Sequence, residues 1–316
     1  MKILAIGDFH GEFPKKFERI ITREKIDLVI SNGDYFPFHY RKLWFKHCYG
    51  QETELWEVIG KEKYKKLVLK DLKDGEKALK KLNALPIPVF TVIGNIDFTR
   101  TCDVADIEIP PNSVTLQSGI SNRHFRAKGD TINGNAYIKI KKKHYWNWDE
   151  QDFFTPIIKK YKNIKRFDYS FFKFGEYVFI GAYGSSFPGR VKSKAFKKHR
   201  KILDNLFRKF RQENKEKKVI FVSHNVPFNT RLDLIGNKAH SDVKGKHYGS
   251  KLVRRIINKY QPILHFGGHI HESTGMQNIG KTLCINPGSA HEGKGAVIEL
   301  DESTKGKVRV KFINTR

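Results

Sequence analysis

Five short apolar runs recur along the chain: Lys2 to Ile6, Leu28 to Ile30, Val89 to Ile93, Val219 to Val222 and Ile263 to Phe266. Runs this short, rich in Ile, Val, Leu and Phe and bounded by turn residues, predict buried β-strands. Further strand patterns lie at Ala136 to Ile140, Tyr169 to Phe174, Tyr177 to Ile180, near Leu283, at Ala296 to Leu300 and at Val308 to Phe312. Gly175-Glu176 joins two of them in a hairpin-like pattern. Helical spacing appears in two stretches. Glu52 to Leu82 repeats it through Leu55, Ile59, Leu67, Leu72 and Leu79, and Val191 to Arg211 through Phe196, Leu203, Leu206, Phe207 and Phe210. Strands interleaved with amphipathic helices predict an α/β fold.

Polar motifs follow the apolar runs. They are Gly7-Asp8-Phe9-His10-Gly11, Gly33-Asp34, Gly94-Asn95-Ile96-Asp97, Ser223-His224-Asn225 and Gly267-Gly268-His269-Ile270-His271. In an open α/β sheet, ligands bind beyond the carboxyl ends of the strands. From these motifs Asp8, His10, Asp34, Asn95, His224, His269 and His271 offer oxygen and imidazole donors that suit divalent Mn, Fe, Zn, Ni or Co. The combination predicts a two-metal hydrolytic site. Each residue also has a plain structural reading when taken alone. Asp8 could cap a helix starting near Phe13, Asp34 could be a turn residue, and His224 a hydrogen-bonded histidine after a strand. It is the ordered set of seven that points to metal.

In order, these motifs resemble those of the calcineurin-like metallophosphoesterase superfamily, from Met1 to about Leu300. Late in the chain the run His224 to Asp233, then Tyr248-Gly249-Ser250-Lys251, then Gly267 to Ser273, then Asn286-Pro287-Gly288-Ser289 are similar to predicted archaeal phosphoesterases described as Icc homologues. The resemblance implies a two-sheet β-sandwich flanked by helices, an αββα arrangement. It also implies two divalent transition-metal ions, one on Asp8, His10, Asp34 and His271 and the other on Asp34, Asn95, His224 and His269. Asp34 bridges them, because a carboxylate can span cations about 3.5 to 4 Å apart whereas a neutral imidazole ligates one. The implied activity is hydrolysis of a phosphate ester by water activated at the metals, with a phosphodiester as substrate. Asp97 is expected to orient the Asn95 loop or a ligand histidine from outside the ligand set.

One position departs from the family pattern. Where relatives carry a histidine that protonates the leaving alkoxide, this chain has Ile96, which carries no proton. His247, in the loop Gly245-Lys246-His247-Tyr248-Gly249, is the candidate acid instead. Arg231 and Asn225 are candidate substrate contacts, Arg231 through bidentate phosphate binding, and Lys251 flanks the same region. The aromatic run Tyr35 to Tyr40 is read as packing under the insertion or lining a pocket.

Composition narrows the partners. The chain has 316 residues, and 60 Lys and Arg against 33 Asp and Glu give a net charge of +27. Between Arg190 and Lys218 there are 13 basic and 3 acidic residues, a stripe that attracts polyanions and makes a nucleotide or nucleic acid a candidate substrate or partner. Lysine-rich helix faces also arise through solvation alone. Nuclease activity, or a non-catalytic module binding nucleic acid or protein, are therefore alternatives to the phosphodiesterase reading. No GxSxG element is present, so a covalent serine intermediate is not expected. Three cysteines, odd in number and widely spaced, fit a reducing cytoplasm. The first strand begins right after Met1, so no signal peptide or membrane partner is expected. Because the motifs run from Asp8 to His271 and have to converge, one domain over 1–316 with a helical insertion at about 35–88 is expected.

Overall fold

The first strand, β1 (Lys2–Ile6), divides its side chains by parity, as the two-residue period of a strand requires. Ile3 and Ala5 enter the apolar layer between two sheets, and Leu4 and Ile6 enter the layer under the helices. The structure is a computed structural model and describes residues 1–49, 51, 53–97, 146–149, 151–184, 189–236, 243–301 and 307–315.

Each sheet has six strands. The first runs β12 (Lys307–Asn314), β11 (Lys294–Asp301), β1, β2 (Leu28–Ser31), β3 (Val89–Thr91), β4 (Ile164–Arg166). The second runs β5 (Phe171–Phe174), β6 (Tyr177–Gly181), β7 (Val219–Asn225), β8 (Leu264–Gly268), β10 (Thr282–Asn286), β9 (Gly275–Ile279). In the first, β1 to β4 are parallel, and in the second β6, β7, β8 and β10 are parallel. Strands buried on both faces read as continuous apolar runs, which is why these were the ones legible as short Ile/Val/Leu stretches. The layer between the sheets includes a ring stack in which Phe90 lies 3.6 Å from Phe172 and Phe172 lies 4.5 Å from Phe179.

Eight α-helices are described: α1 (Lys16–Glu24), α2 (Arg41–His47), α3 (Leu55–Ile59), α4 (Lys61–Asn83), α5 (Phe154–Ile158), α6 (Lys194–Lys209), α7 (Arg211–Lys215) and α8 (Lys251–Tyr260). The α/β fold with two sheets flanked by helices is as expected. The stretch Glu52 to Leu82, expected as one or two helices, is two, because Gly60 has φ 83° between them. Three details differ. The stretch Val191 to Arg211 starts later, at Ser193, whose hydroxyl accepts the Phe196 N–H and caps α6. Strand β7 runs on through Asn225 with an irregularity after Val222, so Ser223 and His224 belong to the strand end itself. Helix α1 begins at Lys16, so Asp8 does not cap it. The run Ala136 to Ile140 lies outside the described residues.

The opening aromatics pack. Tyr35 and Phe36 are fully buried, Tyr35 stacked on Phe9 at 5.0 Å and Phe36 edge-on to Phe154 at 5.8 Å.

Helix α6 turns His199 inward, where its Nδ1 is hydrogen-bonded to the Tyr169 hydroxyl. Burial, helped by the charge of Lys198, lowers this imidazole from 6.5 to about 4. The unfolded chain takes up a proton below about pH 6.5 while the folded one stays neutral until about pH 4, so stability falls as pH drops through that window. At about 1.4 kcal/mol per pKa unit the loss from this group is about 3 kcal/mol. Denaturant midpoints measured from pH 7 to pH 4 are expected to fall in wild type and to fall less steeply in Tyr169→Phe/His199→Leu; equal slopes would remove His199 from the acid sensitivity.

Candidate metal centre

The seven residues singled out by the motifs come from strand ends in both sheets. Asp8 and His10 follow β1, Asp34 follows β2, Asn95 follows β3, His224 ends β7, and His269 and His271 follow β8. Turning the chain so sharply demands unusual backbone. Asp8, His10, Asp34 and His269 have φ of 53°, 44°, 59° and 72°, a left-handed region that non-glycine residues seldom adopt and that gathers at functional sites. The loops are knitted together through main chain: the Asp34 carbonyl accepts from the Phe9 and His10 N–H groups at 2.8 and 3.1 Å, and the Tyr35 carbonyl from Gly11 N–H at 2.8 Å.

Two glycines make the convergence possible. A Cβ on Gly268 would sit 2.4 Å from Asp8 Oδ2 and 2.1 Å from Asn32 Nδ2, and one on Gly94 would sit 1.9 Å from Asp34 Oδ1. Only the absent side chain lets one loop lie against the carboxylate of the next.

Two ligand groups result, Asp8 with His10 and His271, and Asp34 with His224 and His269, the donor atoms in each lying within 4.8 Å of one another. In the first, His271 Nε2 is 3.2 Å from Asp8 Oδ1 and 3.3 Å from His10 Nε2. In the second, His224 Nε2 is 2.7 Å from Asn95 Oδ1, 3.1 Å from His269 Nδ1 and 3.5 Å from Asp34 Oδ2. The groups touch, since the His269 N–H donates to Asp8 Oδ2 at 3.1 Å.

Charge is unevenly tolerated in this buried cluster. Burial opposes ionising Asp8, yet the surrounding imidazoles, His271 foremost, hold it well below the usual carboxylate range. Burial, with the Asp8 charge beside it, pushes Asp34 up to about 8. His10 is pushed down to about 3 by burial and then by His271. Burial likewise lowers His224 and, with the charge of His224, His269. His271 goes the other way: burial disfavours its charge, but Asp8 outweighs it and raises the pKa.

The donor set fits a cation. His224 Nδ1 lies 2.8 Å from the Asn32 carbonyl, which only accepts, so the ring proton sits on Nδ1 and Nε2 is a bare lone pair. That lone pair faces the carbonyl oxygen of Asn95 at 2.7 Å. Two acceptors so close would be stabilised by a positive ion that both can ligate. Asp8 Oδ1 is likewise buried, with the imidazole of His271 at 3.2 Å beside it. The neutral, outward-committed imidazole is the form that metals bind.

Asp97 is fully buried and accepts the N–H groups of Asp34, Tyr35 and Gly94 at 3.0, 2.8 and 2.8 Å. It therefore pins the Asp34 loop to the Asn95 loop. Burial and the Asp34 charge push it up to about 7. Ile96 contributes its backbone N–H, which donates to Asp34 Oδ1 at 3.0 Å.

The other candidates stand apart from the two groups. His247 Nδ1 lies 2.7 Å from Asp233 Oδ1 and its ring is edge-on to Phe228 at 6.1 Å. The Arg231 guanidinium donates to the Met276 carbonyl of β9, and its backbone N–H to Gln277 Oε1 at 2.9 Å. Asn225 is buried at the end of β7, its carbonyl accepting from the Ser223 hydroxyl at 2.7 Å. Three residues were given no part in the site from the sequence: Asn32, whose carbonyl sets the His224 tautomer; Asp233, which holds His247; and His291, whose ring meets His10 edge-on at 6.1 Å. Asn32 had a visible signal, its place just before Gly33-Asp34.

A family model described as calcineurin-like phosphoesterase matches residues 1–273. An uncharacterized protein of Methanocaldococcus jannaschii is 34% identical over 92 residues, 27% of this chain and 40% of that protein, so less than half of that relative's length is spanned. Among solved structures, one crystal structure superposes with a TM-score of 0.57 at 18% identity over 98% of each chain. A dimetal phosphatase from Danio rerio superposes with a TM-score of 0.50 at 11% identity, over 99% of this chain and 96% of its own. At such identities the superpositions speak for the fold, and the match over residues 1–273 for the family. With its paired ligand groups at the strand ends, the chain belongs to the calcineurin-like phosphoesterase family.

Proposed function

We propose that this chain hydrolyses phosphate esters, phosphodiesters foremost, at two divalent transition-metal ions bound by Asp8, His10, Asp34 and His271 on one side and Asp34, Asn95, His224 and His269 on the other. The observation that carries the reading is the facing of bare acceptors, His224 Nε2 and Asn95 Oδ1 at 2.7 Å, beside a second three-ligand group. The description of the Danio rerio neighbour as a dimetal phosphatase agrees with it. The net charge of +27 favours polyanions, nucleic acids among them, whose backbone linkages are phosphodiesters.

When bound, two such cations lower the pKa of a shared water and neutralise charge on the phosphoryl oxygens. The chain's own residues do the positioning. Asp34 keeps one oxygen on the Ile96 N–H and turns the other toward His224, so its bridging orientation is set by backbone. Asp97 locks that loop through three N–H groups. The leaving oxygen needs a proton that Ile96 cannot give, and His247 is the proposed source. Asp233 holds its Nδ1, leaving Nε2 on a side chain about a third exposed. Asp233 is itself fixed by the N–H groups of Asn229, Thr230 and Gly249.

Removing even an outer partner of a ligand costs about 10- to 100-fold in metal affinity or activity, so Asp34→Asn is expected to lose metal and more than 100-fold of hydrolysis. Elemental analysis and turnover of a nitrophenyl phosphodiester check this. Near-normal values for both would sink the dinuclear reading.

Without the usual histidine, hydrolysis is expected to depend steeply on the leaving group, nitrophenyl esters far outpacing alkyl esters. General acids contribute about 10²- to 10⁴-fold, so His247→Ala is expected to slow alkyl esters within that range and leave nitrophenyl esters almost unchanged. Equal losses on both ester types would assign His247 to structure, and no loss on either would remove it from the reaction.

A nuclease reading draws on one surface. On α6 the apolar face of Phe196, Leu203, Leu206 and Phe207 is buried while Lys197, Lys198, Lys201 and Arg208 are exposed. Replacing Lys197, Lys198, Arg200 and Lys201 with Glu is expected to weaken oligonucleotide binding and flatten its salt dependence, with small-ester turnover unchanged. Oligonucleotide affinity that stays the same leaves α6 an ordinary solvated helix.

A further inference from the structure

A histidine outside the ligand set lies buried behind the strand end that carries His224. His265 is on β8, opposite Phe221 of β7 and Cys284 of β10, and is fully buried, its ring 5.3 Å from that of Phe221. Burial pushes its imidazole down to about 3, so it is neutral. Its Nε2 lies 2.7 Å from the Ser223 hydroxyl, and that hydroxyl donates to the Asn225 carbonyl at 2.7 Å. A hydroxyl has one proton to give, so Ser223 accepts from His265, whose own proton therefore sits on Nε2. Nδ1 is left buried and, among the described residues, without a hydrogen bond. An apolar side chain would fill this position without that cost, so what distinguishes the imidazole is the bond that Nε2 makes.

That bond falls at the irregularity in β7. Val222 is opposite Phe266 and Asn225 opposite Gly268, so Ser223 and His224 together face the single residue Gly267. Two residues against one make a β-bulge, rare between parallel strands and frequent beside active sites, where it re-aims a side chain. The Ser223 bond spans the bulge, with His224 between its two ends. Gly267 leaves room for it: a Cβ there would sit 2.6 Å from the Asn225 oxygen and 2.9 Å from His265 Cε1. Ser223 faces His265 in the layer under the helices, beside Phe221 and Cys284. His224 turns the other way, its Nε2 to Asn95 at 2.7 Å and its Nδ1 to the Asn32 carbonyl at 2.8 Å, both in loops of the first sheet. Asn32 therefore fixes the ring, and the bulge fixes the backbone from which the ring is aimed.

We propose that His265 and Ser223 are positioning residues of the metal centre, locking the β7 bulge and so setting how tightly the ion of the Asp34, Asn95, His224 and His269 group is held. This rests on the metal-dependent phosphoesterase reading above. Residues that orient a ligand from outside are worth about 10- to 100-fold in metal affinity. His224 belongs to one ligand group and not to the other, so the effect falls on one ion of the two.

The test challenges Co(II)-loaded, full-length wild type, His265→Leu, His265→Gln, Ser223→Ala and the double variant His265→Leu/Ser223→Ala with a competing chelator. Released Co(II) and the visible absorption of the bound ions are followed together. In His265→Leu and in Ser223→Ala one ion is expected to leave with an affinity lowered about 10- to 100-fold, its absorption lost first, while the other leaves as in wild type. The double variant is expected to lose no more than the weaker single one, because the two residues act in series. His265→Gln, whose amide nitrogen can donate to Ser223 in place of Nε2, is expected to lie nearer wild type than His265→Leu. Two ions held as in wild type, two ions weakened alike, or losses that add in the double variant overturn the proposal and leave the metal reading standing. Should His265→Leu fail to fold, Ser223→Ala decides, one weakened ion supporting the assignment and two or none overturning it. Wild type that holds no Co(II) overturns the underlying reading, and the role of His265 with it.

Discussion

Desolvation of acceptors at the carboxyl ends of the parallel strands in two mixed sheets is the constraint on which the rest depends. Asp8, Asp34, Asp97 and His224 are all buried, and a buried carboxylate is costly unless N–H groups or a cation compensate it. Backbone supplies part of the compensation: three N–H groups to Asp97, the Ile96 N–H to Asp34 and the His269 N–H to Asp8. What remains uncompensated shows in Asp34, held at about 8, whereas Asp8 is held down by His271 beside its Oδ1. Cations bound there would remove that excess, so their affinity and the stability of the folded chain are linked.

Close approach of the loops follows from the same constraint. The ligand loops meet because Gly94 lies against the Asp34 carboxylate and Gly268 against Asp8 and Asn32. A methyl group at either would drive apart the groups whose proximity defines the site. The left-handed backbone at Asp8, His10, Asp34 and His269 has the same origin: each turns its side chain back over the strand end. Strain of this kind persists where surrounding bonds overdetermine it, here the ladder from Asp8 N–H through Gly11 N–H to residues 33–35.

The ligands could be read from sequence because each follows or ends a strand that is buried on both faces, so hydrophobic run and polar motif are adjacent in the chain. Elements without that adjacency were missed. Strand β9 alternates exposed Met276 and Asn278 with half-buried neighbours at a sheet edge, a pattern weaker than a core strand. Helix α2 buries none of its residues fully, so it lacks an apolar stripe. Asp233 and Asn32 act through space on groups far away in sequence, His247 being 14 positions from Asp233 and His224 192 positions from Asn32. Spacing holds no trace of such pairs. The strand boundary at His224 was misplaced for a related reason, since the irregularity after Val222 is set by the neighbouring β8.

Ile96 shows how a site can keep its ligands while giving up a reactive side chain. Residue 96 serves Asp34 through its backbone N–H, and any residue but proline supplies that donor. Asp97, the next residue, fastens the same loop through its carboxylate. Structural duty at this turn is therefore carried by main chain and by Asp97, and the side chain at 96 is free to change without disturbing the Asp34 carboxylate. On the proposed reading, an isoleucine here would withhold a proton donor and leave the candidate ligand geometry intact. A donor such as His247, mounted on its own Asp233 support in a different loop, would then deliver the proton apart from the metals.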